Sequence, residues 1–238
     1  MTDAGAPPPP GPWQRAAVVA VREETATART LRLALDRPSH HLAGQHFVVR
    51  LTAPDGYSAS RSYSVATPPD GGAEIEITVE KLPDGEVSAF LHDEVVPGDV
   101  VEVRGPIGGW FVWRGDTPAL LVGGGSGVVP LVAMLRLARR VGRSDLVRLV
   151  VSVRSPAELY YAREIPGPET TIVYTRETPP GASRAAGRLR AGDIPGLPGP
   201  GTTAFLCGSS RFVEAAAVLL GDAGMAASDV RVERFGPT

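Results

Sequence analysis

The pattern of apolar residues changes near residue 115, and this change constrains the fold more than any other feature of the chain. Before it, short segments alternate apolar and polar side chains, most clearly at residues 74–80, Glu-Ile-Glu-Ile-Thr-Val-Glu. After it, strand-like runs such as residues 119–122 are continuously apolar and are separated by helical segments. Alternation is typical of half-buried antiparallel strands, and continuous apolar runs are typical of parallel strands covered on both faces. Because residues 115–118, Gly-Asp-Thr-Pro, interrupt both patterns, we predict a domain boundary between residues 115 and 116.

The first half of the chain predicts a small antiparallel barrel of six strands over residues 13–115. Residues 1–12 are small and rich in proline, and we expect a disordered lead-in there. These residues lack the basic and then apolar segments of a signal peptide. The predicted strands cover residues 17–21, 30–36, 47–51, 61–67, 74–80 and 100–103, with a short helix at residues 87–95.

The second half, residues 116–238, predicts a doubly wound α/β domain with a parallel sheet. Its expected strands cover residues 119–122, 146–153, 171–174, 204–207 and 230–235. Its expected helices cover residues 128–141, 156–163 and 211–222. The whole chain is therefore predicted to be a β-barrel domain followed by an α/β nucleotide-binding domain.

Composition excludes several classes of partner and site. The formal charge of −2 and the absence of a long basic run argue against nucleic acid. Cys207 is the only cysteine, which excludes an internal disulfide and a cysteine-bound iron–sulfur cluster within these residues and fits a reducing cytoplasm. No apolar run approaches the roughly 20 residues that span a bilayer. The four histidines show no ligand spacing, so we predict no metal.

A glycine-rich segment, residues 122–130, joins a predicted strand to a predicted helix and has the sequence Val-Gly-Gly-Gly-Ser-Gly-Val-Val-Pro. Glycines at such a junction let a diphosphate approach the backbone, and the helix N-terminus supplies free amides. The Gly-x-Gly-x-x-Gly fingerprint of dinucleotide sites fails here, because Val128 stands at the third glycine position. We favour a ligand-binding loop over a purely structural tight turn.

The segment Arg61-Ser62-Tyr63-Ser64 follows a polar, strand-like run. An arginine can pair with a diphosphate, a tyrosine ring can stack on a flat heterocycle, and a serine hydroxyl can donate to a ring nitrogen. Taken alone, the segment is equally compatible with surface decoration of a strand. Together with the glycine-rich loop, it suggests a flavin in the first domain facing a dinucleotide in the second.

With both motifs present in this order, residues 13–235 resemble the ferredoxin–NADP reductase superfamily of two-domain flavoproteins. The resemblance implies that Arg61 contacts the FAD diphosphate, that Tyr63 stacks on the isoalloxazine, and that Ser64 donates a hydrogen bond to flavin N5. Ser62 belongs to the same flavin-binding segment.

A second family motif, Gly-x-x-Ser, matches residues 85–88, Gly-Glu-Val-Ser. The resemblance implies that Gly85, Val87 and Ser88 complete the diphosphate site through backbone amides and a hydroxyl at the start of the barrel's helix.

In the second domain the segment Gly124-Gly125-Ser126-Gly127 is similar to the family's nicotinamide-nucleotide loop. Val129 departs from the threonine that members often carry before the proline. The pair Cys207-Gly208 resembles the family's Cys-Gly, with the thiol beside nicotinamide C4. Without the resemblance, Cys207 is equally well read as a small buried residue that closes a strand.

The coenzyme preference depends on Thr175-Arg176, which resembles the family's Ser-Arg pair that binds the 2′-phosphate of NADP. Arg154 and Arg184 are candidate helpers. We therefore predict NADPH, with NADH less favoured. The alternative is that Arg176 is a solvated loop charge.

The C-terminal segment Val232-Glu233-Arg234-Phe235 is similar to the Val-Glu-x-Tyr of plant-type reductases. The resemblance implies that Phe235 covers the flavin face where nicotinamide must bind and that Glu233 lies near the reaction centre. Residues 236–238 follow the aromatic, so it is not terminal. The alternative is an edge strand with one core phenylalanine.

These features predict a cytoplasmic FAD-dependent oxidoreductase that takes a hydride from NADPH at flavin N5 and passes single electrons to a separate protein such as ferredoxin. The resemblance gives Ser64, Cys207 and Glu233 as its catalytic residues. One alternative is a reductase for small acceptors such as quinones or free flavins. Another is a nucleotide-binding sensor or redox subunit without catalysis.

Overall fold

The first half of the chain forms a six-stranded antiparallel sheet in a computed structural model that describes residues 11–196 and 199–236. Residues 1–10 of the predicted lead-in lie outside the described residues. The strands are β1 (Gln14–Thr25), β2 (Ala28–Leu35), β3 (His46–Thr52), β4 (Ser58–Ser64), β5 (Glu74–Glu80) and β6 (Val100–Ile107), and helix α1 (Glu86–Asp93) lies between β5 and β6.

The strand order β4-β3-β6-β1-β2-β5 makes β4 and β5 the two edges of this sheet. An isolated bridge between Val65 and Ile77 joins the chain just after β4 to β5, so the sheet curls toward a barrel. Its interior is filled by alternate residues of the strands, among them Leu31, Leu33 and Phe47, and by Leu91 of α1. The predicted antiparallel barrel is confirmed.

The second half forms a five-stranded parallel sheet in the order β11-β10-β7-β8-β9. Its apolar strands are covered on both faces, because Leu121 and Phe205 pack with helix α2 while Leu120 and Leu206 pack with helix α3. The predicted doubly wound domain is confirmed. Its elements are β7 (Ala119–Gly124), α2 (Val128–Arg140), β8 (Val147–Val153), β9 (Thr170–Tyr174), β10 (Thr203–Gly208), α3 (Ser210–Asp222) and β11 (Val230–Arg234). The predicted boundary at residue 115 falls in the connection between β6 and β7.

The helix predicted at residues 156–163 is wrong. A single 3-10 turn, Pro156–Glu158, is followed by turns through residue 164. Leu159, Tyr160 and Tyr161 are all buried, so this segment packs into the core without forming a helix. Tyr161 also has a φ of 52°, in the left-handed region that interrupts a right-handed helix.

None of the helices within the described parts of the chain is long and apolar enough to cross a bilayer.

Candidate functional site

A cleft of about 490 Å³ lies between the barrel and the α/β domain and takes lining residues from both. On the barrel side, Ser62, Tyr63 and Ser64 line it where β4 ends. On the other side, the loop between β7 and α2 contributes Gly124, Gly125 and Ser126. The two motifs that lie sixty residues apart in sequence therefore face one cleft.

The barrel wall of the cleft is built from a half-buried ring and a nearly buried hydroxyl. Tyr63 packs against the barrel core, and burial raises the pKa of its phenol to about 12, so the ring stays neutral at physiological pH. Ser64 is buried and pairs with His46 in the β3–β4 ladder. Burial lowers the pKa of His46. The neutral Tyr63 ring and the Ser64 hydroxyl suit a flat, uncharged ring system.

Arg61 and the turn before α1 flank the cleft without lining it. Arg61 is exposed and donates from its guanidinium to the carbonyl of Ser60 at 2.7 Å, and it has no ion pair with the described residues. Its charge is therefore available for an anion.

The start of α1 presents free amides, because its N-cap residue, Gly85, gives no side-chain cap. A side chain at Gly85 would lie 2.2 Å from the Oγ of Ser88. That hydroxyl donates to the Gly85 carbonyl at 3.0 Å and accepts from the Leu82 amide at 3.2 Å. Val87 points into the barrel core. We therefore expect Ser88 to shape the turn and the amides, rather than this hydroxyl, to meet a diphosphate.

The glycines of the nucleotide loop have different physical roles. A side chain at Gly124 would lie 2.7 Å from the ring of Phe212, and one at Gly127 would lie 2.3 Å from the carbonyl oxygen of Cys207. Gly125 has a φ of 55° and no heavy atom within 4 Å of the place a side chain would take, so it is the position open to a ligand. Val129, the departure from the family pattern, lines the cleft.

The outer end of the cleft contains one predicted arginine, and that arginine is paired. Arg154 and Thr175 follow β8 and β9 and line the cleft, and the Nε of Arg154 donates to Glu158 at 2.7 Å. Arg176 is exposed and does not line the cleft. Arg184 binds both carboxylate oxygens of Asp193, at 2.5 and 2.7 Å, and does not line the cleft.

Phe235 lines the cleft, whereas Glu233 and Cys207, which are predicted to lie near the reaction centre, do not line it. Phe235 lines the cleft, and its amide donates to the Gly208 carbonyl at 2.9 Å. Glu233 pairs in register with Cys207, and neither lines the cleft. Burial raises the pKa of Glu233 to about 7, and its Oε2 has no hydrogen-bond partner in the described part of the chain.

Cys207 is fully buried in the core that α2 covers. Burial and, to a smaller extent, Glu233 raise the pKa of its thiol, which therefore stays protonated.

Several residues of the cleft carry no sequence motif. Ser152 could have been noticed as a polar residue ending an apolar strand, whereas the others come to the cleft only through folding. These unpredicted lining residues are Thr25, Thr27, Thr78, Glu80, Leu82, Ser152, Val153, Glu158, Tyr160, Ser209, Phe212 and Gly236. In residues 11–196 and 199–236, no group of three or more His, Cys, Asp or Glu side chains is arranged to hold a metal ion.

Comparison with known proteins places the chain in a family. A model of the oxidoreductase FAD-binding domain matches residues 15–112. The chain is 32% identical over 232 residues to the reductase component of the naphthalene 1,2-dioxygenase/salicylate 5-hydroxylase systems of Ralstonia sp., an alignment that covers 93% of this chain and 68% of that protein. The chain belongs to the ferredoxin–NAD(P)+ reductase family.

Solved structures agree with this assignment. A cytochrome P450 reductase of Amycolatopsis superposes with a TM-score of 0.79 at 30% identity, covering 100% of this chain and 74% of that one. Phthalate dioxygenase reductase, at 21% identity, shares the fold with a TM-score of 0.77 over 95% of this chain and 69% of that one. The predicted family and the predicted enzyme class, an FAD-dependent NAD(P)H oxidoreductase, are therefore confirmed.

The site fits FAD and a nicotinamide dinucleotide. The exposed Arg61 and the uncapped start of α1 offer positive charge and free amides for the flavin diphosphate. The open position at Gly125, just before α2, offers the same to the dinucleotide. The tyrosine ring and serine hydroxyl between these two ends suit the isoalloxazine.

Proposed function

We propose that this reductase transfers a hydride from NADPH to FAD within the cleft and then passes electrons singly to a separate redox protein. The observation that carries the proposal is that two motifs meet at one site: Tyr63 and Ser64 line the same cleft as the loop of Gly124, Gly125 and Ser126, and Phe235 lines it too. Bound FAD supplies the redox chemistry, because it accepts two electrons and releases them one at a time.

The chain's own residues hold and align the reacting rings. Tyr63 would stack its ring on one face of the bound flavin, and Phe235 would cover the opposite face until its side chain moves aside for nicotinamide. Ser64 would donate its hydroxyl proton in a hydrogen bond to flavin N5, the atom that receives the hydride. Hydride transfer needs nicotinamide C4 and flavin N5 about 3 to 3.5 Å apart, so alignment of the two domains is the protein's main contribution.

A groove on the outside of the barrel supports FAD over the shorter FMN. It has a volume of about 590 Å³ and is lined by Tyr57, Phe90, Glu86 and Val87 among others. Tyr57 and Phe90 are exposed aromatic rings, and Glu86 and Val87 belong to the first turn of α1. A cofactor held by the diphosphate at this turn can extend its adenosine end onto these rings.

The coenzyme is proposed to be NADPH, with NADH less favoured. Arg176 supports this choice, because its exposed side chain has no hydrogen bond or ion pair with the described residues and lies two residues after the end of β9. The pairing of Arg154 with Glu158 places a carboxylate near the same end of the cleft and opposes a 2′-phosphate.

The acceptor is proposed to be a ferredoxin or similar one-electron carrier that supplies an oxygenase, as the names of the relatives suggest for those proteins. Residues 1–238 contain one cysteine, so they cannot supply a cysteine-bound iron–sulfur cluster of their own. A cytoplasmic location fits the unpaired thiol.

Anaerobic mixing of the purified, FAD-loaded protein with NADPH and with NADH tests the proposal. We expect rapid loss of the oxidised flavin absorbance, faster with NADPH, followed by reoxidation on adding a ferredoxin encoded nearby. Nucleotide binding without bleaching would instead identify a sensor. Faster turnover with free flavin or quinone than with the ferredoxin would identify a reductase for small acceptors.

A further inference from the structure

A closed ring of buried hydrogen bonds joins the two domains beside the cleft. The amide of Tyr161, in the loop after β8, donates to Oε2 of Glu24 on β1 at 2.9 Å. The phenol of Tyr161 bonds to the hydroxyl of Thr78 at 2.5 Å, Thr78 to Thr30 at 2.7 Å, and Thr30 to Oε1 of Glu24 at 2.7 Å. Both ends of the ring therefore meet on one carboxylate of the barrel.

The order of donors in this ring follows from proton counting. Thr30 has one hydroxyl proton and gives it to Glu24, so it must accept from Thr78. Thr78 has then used its own proton and must accept from Tyr161. The hydroxyls of Tyr161, Thr78 and Thr30 therefore each donate to the next group in the ring, and the last of them donates to the Glu24 carboxylate. Such a network is sensitive to the loss of any one hydroxyl.

A second connection is made by Arg136 on α2. Its guanidinium binds both oxygens of Glu164, at 2.6 and 2.8 Å, in the loop that carries Tyr161. It also donates to Oε2 of Glu76 on β5 at 2.8 Å and to the carbonyl of Ala66 at 2.9 Å, both in the barrel. Burial alone would lower the pKa of Arg136, but Glu164 and Glu76 hold that pKa above its ordinary value.

The two connections meet, because the guanidinium of Arg136 lies 5.2 Å from the centre of the Tyr161 ring. They also reach both walls of the site. Thr78 lines the cleft on the barrel side, and Tyr160, the neighbour of Tyr161, lines it on the other. Arg136 belongs to α2, the helix whose start carries the nucleotide loop.

Tyr161 has the only positive φ among the described non-glycine residues. A tyrosine in the left-handed region is strained unless its surroundings hold it there. Here the contacts that hold it include the hydrogen bond from its amide to Glu24 and the hydrogen bond from its hydroxyl to Thr78, and both partners belong to the barrel domain. The loop conformation is therefore set by the barrel.

We propose that Tyr161 and Arg136 are positioning residues that fix the nucleotide-binding loop at the correct distance from the flavin wall. Neither lines the cleft, so both act through Thr78, Tyr160 and α2. This inference rests on the proposed hydride transfer. Because each cofactor is expected to be held mainly by its own domain, weakening the connection lowers the rate of hydride transfer more than it lowers the affinity for either cofactor.

The test uses the FAD-loaded full chain and three variants. Tyr161→Phe removes the hydroxyl and keeps the aromatic side chain. Thr30→Val breaks the ring of hydrogen bonds at a buried position outside the cleft. Arg136→Met removes the second connection. The matched control is Arg139→Met, one turn along α2. Arg139 binds Glu169 at 2.6 Å and two carbonyls of its own domain, and has no hydrogen bond to the barrel.

Five quantities are measured: FAD affinity, thermal stability, the KM for NADPH, the rate of flavin bleaching by saturating NADPH, and the long-wavelength charge-transfer absorbance of stacked nicotinamide and flavin. We expect bleaching to slow about fivefold in Tyr161→Phe and Thr30→Val and about tenfold in Arg136→Met, with weaker charge-transfer absorbance and KM within about twofold. The double variant Tyr161→Phe/Thr30→Val should be no slower than the slower single variant, because both substitutions interrupt the same ring of hydrogen bonds. Arg139→Met should lose stability but bleach within about twofold of the parent.

Three outcomes would overturn the positioning role. They are unchanged bleaching in Tyr161→Phe and Thr30→Val, additive effects in the double variant, or equal slowing in Arg139→Met. If Arg136→Met fails to fold, the two hydroxyl variants still decide. If the parent protein itself is not bleached, the proposed function fails, and that result is distinct from a normal parent with normal variants.

Discussion

The amide nitrogen of Phe235 donates a hydrogen bond to the carbonyl oxygen of Gly208 at 2.9 Å, which ties the residue after β11 to the end of β10, and Phe235 lines the cleft. Gly208 has a φ of 150°, and a side chain there would lie 2.9 Å from the ring of Phe212. The glycine is therefore needed for the close approach of the end of β10 to Phe212 and to the backbone of Gly124.

Replacing Phe235 by alanine should tighten nicotinamide-nucleotide binding. If the ring covers the place that nicotinamide takes, its displacement opposes binding by about 1 kcal/mol, the usual value of an aromatic stacking contact, which corresponds to about fivefold in Kd. Titration with oxidised NADP and NAD, followed by flavin difference spectra, measures this directly. Phe235→Tyr keeps the ring and is the control. Unchanged Kd values in Phe235→Ala would show that the ring does not cover the nicotinamide site.

Ser64→Ala should slow hydride transfer about tenfold to a hundredfold while FAD remains bound, because one hydrogen bond to the reacting nitrogen is lost. Stopped-flow bleaching with saturating NADPH gives the rate. Ser60→Ala, on the same strand but outside the cleft, is the control and should retain the parent rate. Equal rates in all three proteins would remove Ser64 from the catalytic residues.

Much of this architecture could be predicted from the sequence, because periodicity reports which face of an element is buried. The alternation at Glu74–Glu80 and the apolar run at Ala119–Gly124 each gave the correct type of strand. The helix predicted at residues 156–163 is wrong, because the apolar residues of this segment pack against the other domain and do not repeat with a helical period. The strand predicted at residues 61–67 lies at Ser58–Ser64, a displacement that turn residues alone did not reveal.

The residues of the candidate site also fall into two groups, those that a local sequence motif predicts and those that only the folded structure reveals. The tetrad at Arg61 and the glycine loop are local signals, because each needs particular residues in sequence to make one backbone shape. The pair Arg154–Glu158 and the bond between Tyr161 and Thr78 depend on side-chain rotamers and on how two domains meet. No single-sequence pattern encodes a contact across 83 residues.

The coenzyme preference should respond in opposite directions to two substitutions. Arg176→Ala should lower kcat/KM for NADPH about tenfold and leave NADH within about twofold, because only NADPH carries the 2′-phosphate. Glu158→Gln should raise the NADPH-to-NADH ratio about threefold or more, because it frees Arg154 and removes a nearby negative charge. Steady-state kinetics with both nucleotides measure the ratio, and NADH is the internal control. A ratio that neither variant alters would place the 2′-phosphate elsewhere.

Glu233 predicts a particular dependence of stability on pH. Burial raises its pKa from 4.5 to about 7, so between these values the folded protein binds a proton that the unfolded chain releases. The free energy of unfolding contributed by this group is therefore greatest below pH 4.5, falls as the pH rises toward 7, and is constant above. The full difference is up to about 3 kcal/mol, at about 1.36 kcal/mol for each pH unit.

Chemical unfolding of the FAD-loaded protein at about pH 5 and about pH 8 measures this difference, on either side of the raised pKa. Glu233→Gln is the reference, since glutamine keeps the shape and does not titrate. The variant should match or fall below the parent at the lower pH and gain on it at the higher one. A stability difference between the two proteins that stays constant over this range would show that folding does not raise the pKa of Glu233.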